Sequence, residues 1–133
     1  MEKEEITPSE WQIMEVLWES GVPLTSSEVF KRMQGNVAMS QRMVRVLMNR
    51  LNQKGILGYT VDEHDTRVYH YTPLKSREEC VREKSRKFVD RYFSGHQTNA
   101  VAALLQCSAL TEEQIEELED ILEKSKEKGK DKK

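Results

Sequence analysis

The sequence predicts a mainly α-helical protein that contains one small β-hairpin. Two stretches, 7–54 and 76–122, place apolar residues at the spacing of helices that bury one face. Between them, the runs 56–61 and 68–72 are rich in β-branched and aromatic residues and flank a polar turn, which is the pattern of a hairpin. The chain has 133 residues, enough for one core or for two small ones.

Three helices are predicted before the hairpin. The first, 7–21, and the second, 25–36, each open with a Thr-x-x-Glu capping box, in which the two side chains bond backbone amides that the helix leaves free. Gly35-Asn36 ends the second helix because both residues tolerate a left-handed backbone. The third, 40–54, starts with Ser40 as its cap.

The third predicted helix has the charge pattern of a helix that reads DNA. From Met39 to Lys54 the chain has four cations and no Asp or Glu. The apolar stripe of this helix leaves the cationic face free and consists of Met43, Val44, Leu47, Met48 and Leu51. Two capped helices, this helix and then a hairpin form the element order of a winged helix-turn-helix, whose third helix enters the major groove. The predicted contacts on this helix are Ser40, Gln41, Arg42, Arg45, Asn49, Arg50 and Lys54.

These contacts divide into two kinds. Arg42 and Arg45 lie in the N-terminal half of the helix, where side chains reach base edges, whereas Arg50 and Lys54 are better placed for phosphates or salt bridges. On the wing, Arg67 is predicted either to contact a phosphate or to pair with Asp62 or Asp65, and the sequence leaves these alternatives open.

Composition excludes several other classes of protein. The net charge is −2 and the sequence pI is about 6.0, so the whole chain lacks the basic balance typical of nucleic-acid binders, although positive charge is concentrated on the third helix, where the predicted fold needs it. No apolar run is long enough to span a membrane, and no signal peptide is predicted. Two isolated cysteines and three scattered histidines predict no disulfide, no metal site and no cofactor. We therefore expect a cytoplasmic protein with two reduced thiols. Because the sequence shows no nucleophile–base pair, we expect no enzyme.

The second half is predicted to be helical and to need a partner. We expect a DNA-binding domain over 1–73, a helical dimerisation domain over 74–123 and a disordered charged tail over 124–133. Helices of this length are marginal alone, so they are expected to pack against a second copy of the chain. The predicted interface residues are Val81, Phe88, Tyr92, Phe93, Leu104, Leu105, Ile115, Leu118 and Leu122.

Four segments together resemble the penicillinase repressor (BlaI/MecI/CopY) family. They are WQIMEVLW at 11–18, VRVLMNRLNQKGIL at 44–57, RVYHYTP at 67–73 and FVDRYFSG at 88–95, and the resemblance covers roughly 8–123. It implies a dimeric bacterial repressor with an N-terminal winged helix and a C-terminal three-helix dimerisation domain, which binds palindromic operators. In the β-lactam branch of the family, a membrane sensor protease leads to cleavage of the repressor and so to its release.

The chain departs from the family pattern at three places. Val46 stands where the family has a threonine that is a candidate base contact, so it offers only methyl contact to a thymine. The wing has Thr66 in place of glycine and an acidic tip. The scissile Asn-Phe of the β-lactam branch maps near Ala103-Leu104, the candidate proteolytic region, and no cysteine follows Cys107 to build the copper site of the copper branch.

Two further interpretations stay open at this point. The same face could bind an acidic protein partner instead of DNA, in which case any DNA binding would be indifferent to sequence. Alternatively, Cys80 and Cys107 could make the chain a thiol-responsive or metal-responsive regulator on the same fold.

Overall fold

The computed structural model describes residues 5–34, 38–107 and 109–131 and confirms the predicted order of elements. Contacts divide the chain into two compact units, Met1–Ser85 and Arg86–Lys133, called here the first and the second unit. The elements are α1 (Pro8–Ser20), α2 (Ser26–Met33), α3 (Gln41–Gln53), β1 (Leu57–Val61), β2 (Tyr69–Pro73), α4 (Arg77–Phe93), α5 (Gln97–Gln106) and α6 (Glu112–Asp131).

The predicted caps set the starts of the first three helices. Thr7 accepts a hydrogen bond from the backbone N–H of Glu10 (3.2 Å), whose carboxylate accepts one from the N–H of Thr7 (2.9 Å). Thr25 and Glu28 form the same box on α2, and the Ser40 hydroxyl accepts from the N–H of Met43 on α3. The predicted end of α2 at Gly35-Asn36 lies outside the described residues.

The core of the first unit is aliphatic and lies where α1, α2 and α3 meet. Its fully buried side chains include Ile13, Leu17 and Met48. Trp11 and Trp18 pack edge to face on each other, with ring centroids 5.3 Å apart, and lie partly buried against this cluster. The indole of Trp18 donates to the carbonyl of Lys75 (2.9 Å), which ties α1 to the segment after the wing.

The wing is a two-stranded antiparallel hairpin in which Leu57 pairs with Pro73 and Val61 with Tyr69. Leu24, between α1 and α2, exchanges both backbone hydrogen bonds with Tyr71, at 3.0 and 2.8 Å. This bridge extends the sheet by one residue pair and fixes the base of the wing to the helices.

The first unit ends later than the sequence predicted, at Ser85 and not at residue 73. The physical reason is that the first turns of α4 pack on this unit. Cys80 is buried in its core, Arg77 pairs with Glu15 (2.8 Å) and Lys84 pairs with Glu5 (3.0 Å).

The predicted disordered tail needs a correction as far as residue 131. Helix α6 continues through 124–130 to Asp131, while the last two residues lie outside the described part. Acidic residues fill its first turn and lysines are frequent in its later turns, which suits the helix dipole. Glu123 and Lys126 also pair at 3.8 Å one turn apart. Among the described residues, no helix is long and apolar enough to cross a bilayer.

Candidate nucleic-acid interface

Helix α3 buries one face and exposes the predicted cationic face. Val44, Leu47, Met48 and Leu51 are buried in the core. The opposite face exposes Gln41, Arg42, Arg45, Val46, Asn49 and Arg50. Because the core fixes the rotation of the helix about its axis, these side chains have a defined direction.

Met43 also lies at this surface, although its sequence position was assigned to the apolar stripe. Its side chain is 49% exposed, close to the 43% of Val46. The reason is angular, since Met43 precedes the buried Val44 by about 100° of helical rotation and so falls at the edge of the stripe. That spacing was the signal that could have placed Met43 among the candidate contacts.

Three arginines of α3 are available to a ligand. The guanidinium groups of Arg42, Arg45 and Arg50 make no hydrogen bond or ion pair with another residue in the described part of the chain. A guanidinium without a carboxylate partner presents its whole donor set to solvent. This surface is therefore a cationic face with free donors.

Of the two alternatives for Lys54, a phosphate contact or a salt bridge, the structure shows the salt bridge, and the side chain does not join that face. Its ammonium lies 2.6 Å from a carboxylate oxygen of Glu10 and 2.9 Å from the carbonyl of Glu5. Glu10 is only 1% exposed, and a buried carboxylate requires a nearby cation. Lys54 thus ties the end of α3 to the start of α1, and we remove it from the candidate contacts.

Three predicted contact residues also hold the site together. Ser40 caps α3, and the side-chain amide of Gln41 donates to the hydroxyl of Ser27 on α2 (2.8 Å). The hydroxyl of Tyr71 donates to the side-chain oxygen of Asn49 (3.2 Å), which links the wing to α3. Burial raises the pKa of Tyr71, so its hydroxyl stays protonated and keeps donating at neutral pH.

A cleft of about 560 Å³ opens between α3, the start of α2 and the wing. Arg45 enters it from α3 and Arg67 from the wing, while Ser26 and Ser27 border it at the N-terminus of α2. The remaining lining residues are Thr25, Asn49, Val68, Tyr69 and Tyr71. The sequence did not predict the α2 side of this cleft, because the capping pattern of α2 does not indicate which other helix its N-terminus lies beside.

At the wing tip, Arg67 forms one of the two ion pairs that the sequence left open, the pair with Asp65. The guanidinium forms two hydrogen bonds with the Asp65 carboxylate, at 3.0 and 3.2 Å, and remains 89% exposed. Asp62 pairs instead with His70 (2.9 Å) and accepts from the amides of His64 and Asp65. The His70 hydrogen bond is the main cause that lowers the pKa of Asp62. Asp62 and Asp65, two of the acids of the wing tip, are therefore each paired with a residue of the wing itself.

The predicted dimer residues are mostly at the surface. In the second unit, Phe88, Tyr92, Leu104, Leu105, Ile115 and Leu122 are exposed, whereas Phe93 and Leu118 are partly buried. Tyr92, Leu104 and Leu122 each leave about 60% or more of the side chain open, at 67%, 59% and 61%. Val81 is half-exposed but belongs to the first unit.

The candidate proteolytic pair, Ala103 and Leu104, lies inside α5. Ala103 is partly buried and Leu104 is exposed, so only one of the two side chains is open on the folded helix. A protease needs an extended backbone at its scissile bond, so this part of α5 would have to unfold locally.

The two thiols differ in their surroundings. Cys80 is buried, and burial is the main cause that raises its pKa, so the unreactive thiol is favoured over the thiolate. Cys107 is exposed. Within the described residues, no three His, Cys, Asp or Glu side chains come together as a metal site would require.

The sequence profile of the penicillinase repressor family matches residues 6–124. The penicillinase repressor of Bacillus licheniformis is 28% identical over 127 residues, which cover 96% of each chain. The methicillin resistance regulatory protein MecI of Staphylococcus aureus (strain N315) is 24% identical over 120 residues, covering 90% of this chain and 94% of MecI. The crystal structure of YusO from Bacillus subtilis matches with a TM-score of 0.51 at 24% identity, over 96% of this chain and 79% of YusO, and shows likeness of fold.

Proposed function

Because the chain belongs to the penicillinase repressor family, a family of DNA-binding transcriptional repressors and not of enzymes, we propose that it represses transcription as a homodimer on a palindromic operator. The observation that carries the proposal is the exposed face of α3, whose three guanidinium groups have no partner among the described residues. Such a face supplies donors both for phosphates and for the edges of guanine. The operator DNA would place the protein in the bacterial cytoplasm.

The residues of α3 take different parts in this proposal. Arg42 and Arg45 reach base edges in the major groove, while Arg50, about two turns beyond Arg42, contacts a phosphate. Val46 on the exposed face and Met43 at its margin add apolar character, which suits contact with thymine methyl groups. The choice of operator sequence would therefore depend on two arginine contacts to base edges and on apolar contacts with thymine methyl groups.

Dimerisation is supported by the apolar side chains that the second unit leaves exposed. Large residues such as Tyr92, Leu104 and Leu122 seldom face water in such number without a partner surface. A twofold dimer would place two α3 helices about 34–36 Å apart, one turn of DNA, and so would require a palindromic site.

Release from the operator is proposed to follow cleavage in α5 by a protease linked to a sensor. The candidate bond is Ala103–Leu104, and its cleavage would remove α6 and part of α5 from the dimer interface. Because the bond lies within a helix, we expect cleavage to be limited by local opening of α5 and not by access of the protease alone.

The direct test is DNA binding as a function of salt. Duplexes recovered by selection from a random library should bind saturably, and they should be palindromic. The double variant Arg42→Ala/Arg45→Ala should lose affinity by at least about 100-fold, since each bidentate contact is worth roughly 1–3 kcal/mol. The matched control Arg82→Ala/Arg86→Ala removes the same charge from exposed positions of α4 and should change affinity less than about threefold.

Two results would contradict the proposal. Failure of the selection to enrich any sequence would favour the alternative in which this face binds an acidic protein. An equal loss of affinity in both double variants would show that net charge, and not the α3 face, determines binding.

A further inference from the structure

The wing places the guanidinium of Arg67 at the edge of the cleft. This guanidinium is already paired with the carboxylate of Asp65 in the same turn. Nε and Nη2 of Arg67 bond the two carboxylate oxygens of Asp65, and the Arg67 backbone N–H donates to one of them at 3.0 Å. This two-pronged geometry is the one in which arginine also binds phosphate. A DNA phosphate that reaches Arg67 must therefore either displace Asp65 or bind the remaining donors of a guanidinium whose charge Asp65 already neutralises.

The position of Arg67 makes this competition relevant to DNA binding. Arg67 lines the same cleft as Arg45, so DNA that lies against α3 passes the wing on this side. The hydrogen bonds from Arg67 are the main cause that lowers the pKa of Asp65, which keeps the carboxylate ionised at neutral pH. The competitor is thus present whenever the protein meets DNA.

Resting on the proposed function, we propose that Asp65 limits DNA affinity by occupying Arg67 in place of a backbone phosphate. The carboxylate acts as an internal mimic of the phosphate, and the wing contributes little to binding while it is in place. The operator is then held mainly by the two α3 helices of the dimer. Sequence choice would be unaffected, because the contact that Asp65 withholds is to the backbone.

Asp65 can be altered without removing the bond that shapes the turn. An asparagine side-chain oxygen still accepts from the Arg67 N–H, and the backbone carbonyl of residue 65 still accepts from Val68 (3.0 Å). Asp62 is unsuitable for this purpose, since it holds two amides and His70. Glu63, an exposed acid of the same tip, has no partner among the described residues and provides the matched control.

The test compares binding of selected duplexes to full-length wild type, Asp65→Asn, Arg67→Gln, their combination and Glu63→Gln over a salt series. Asp65→Asn should bind about threefold to tenfold tighter, and its log–log salt slope should be steeper by roughly one. Both gains should vanish in the combined variant. Arg67→Gln alone should change wild-type affinity by less than about twofold, and Glu63→Gln should give less than half of the logarithmic gain of Asp65→Asn.

The inference is overturned if Asp65→Asn binds no tighter than Glu63→Gln, or if its gain survives loss of Arg67. It is also overturned if Arg67→Gln weakens DNA binding of the wild type as strongly as it weakens binding of Asp65→Asn. The measurement on the wild type is informative even if Asp65→Asn does not fold. If wild type binds no selected duplex, the proposed function fails together with this inference. If wild type binds normally and Asp65→Asn does not change the affinity, this inference is wrong while the proposed function stands.

Discussion

The two units of this chain solve the problem of burying apolar surface in different ways. The first unit encloses a core from α1, α2, α3 and the wing, in which side chains such as Leu17 and Met48 are wholly buried. In the second unit, among the described residues, only Ala100 is buried, and α6 has no buried side chain. The first unit thus buries apolar side chains within itself, whereas the second leaves many of its apolar side chains exposed.

This difference indicates where folding and self-association can be altered independently of each other. A change in the core of the first unit should act on folding, and a change on the exposed faces of the second should act on association. The expected effects below run from the largest to the smallest, and each one either separates the two units or shows that they are coupled.

Loss of the buried ion pair should have the largest effect, and it should fall on the first unit. Lys54→Met leaves the carboxylate of Glu10 buried without its cation, which costs about 3–5 kcal/mol of unfolding free energy. Chemical denaturation measures this loss. Arg82→Met, at an exposed position of α4, should stay within about 0.5 kcal/mol.

A second variant distinguishes the missing charge pair from poor packing. Glu10→Gln/Lys54→Met removes both charges and should recover part of the loss, because no ion is left unpaired. A double variant as unstable as the sum of the two single ones would contradict the role assigned to this pair.

Association should be the next largest effect, and it should fall on the second unit. Leu104→Asp/Leu122→Asp places two charges on exposed apolar positions and should weaken the dimer by at least about 100-fold, roughly 2.7 kcal/mol. Sedimentation or light scattering over a concentration series gives this value. The control Glu119→Ala/Lys124→Ala changes exposed polar positions of α6 and should leave association unchanged within about threefold.

The same comparison explains how far the sequence could predict the fold. Each element of the first unit was predictable because local signals agreed with tertiary ones: capping boxes at Thr7 and Thr25 precede stripes that do face the core. The tail was mispredicted because a charged, lysine-rich segment was judged by composition, whereas acidic residues at one end and lysines towards the other favour a helix. Composition does not report the order of charges along the chain, and in this segment that order favours a helix.

The candidate site was predictable to the level of the helix but not of each side chain. The cationic face of α3 follows from its helical period, and Arg42, Arg45 and Arg50 lie on it as expected. Lys54 could not be excluded from sequence, because its partner Glu10 is 44 residues away and only the packing of α1 on α3 brings them together. Long-range ion pairs of this kind have no local signature.

Helix caps give a smaller and more closely matched comparison of the two units. Thr25→Ala removes the cap of α2 and should lower the unfolding free energy by about 1 kcal/mol, because α2 is part of the core. Thr111→Ala removes an equivalent cap, in which the Thr111 hydroxyl accepts from Gln114 N–H at 3.1 Å. This loss should appear as faster hydrogen exchange in the first turns of α6, with no change in the unfolding of the first unit. Equal effects of both variants on the first unit would show that the two units unfold together.

The smallest expected effect is an acid dependence confined to the first unit. Hydrogen bonding to Arg77 is the main cause that lowers the pKa of Glu15 below its ordinary value near 4.5. A carboxyl group with a lowered pKa in the folded state stabilises that state above pH 4.5, and this contribution is lost as the pH falls through the folded-state pKa. Both side chains are about half exposed, at 53% and 41%, so solvent screening limits the pair to less than about 1 kcal/mol. Arg77→Gln should therefore lower stability slightly at pH 7 and flatten its decline below pH 4.5, whereas Arg86→Gln, in the second unit, should leave that decline unchanged. Since Glu15 and Arg77 join α1 to the start of α4, a flattened profile would place these first turns of α4 in the folding unit of the winged helix, and an unaltered profile would place the boundary before α4.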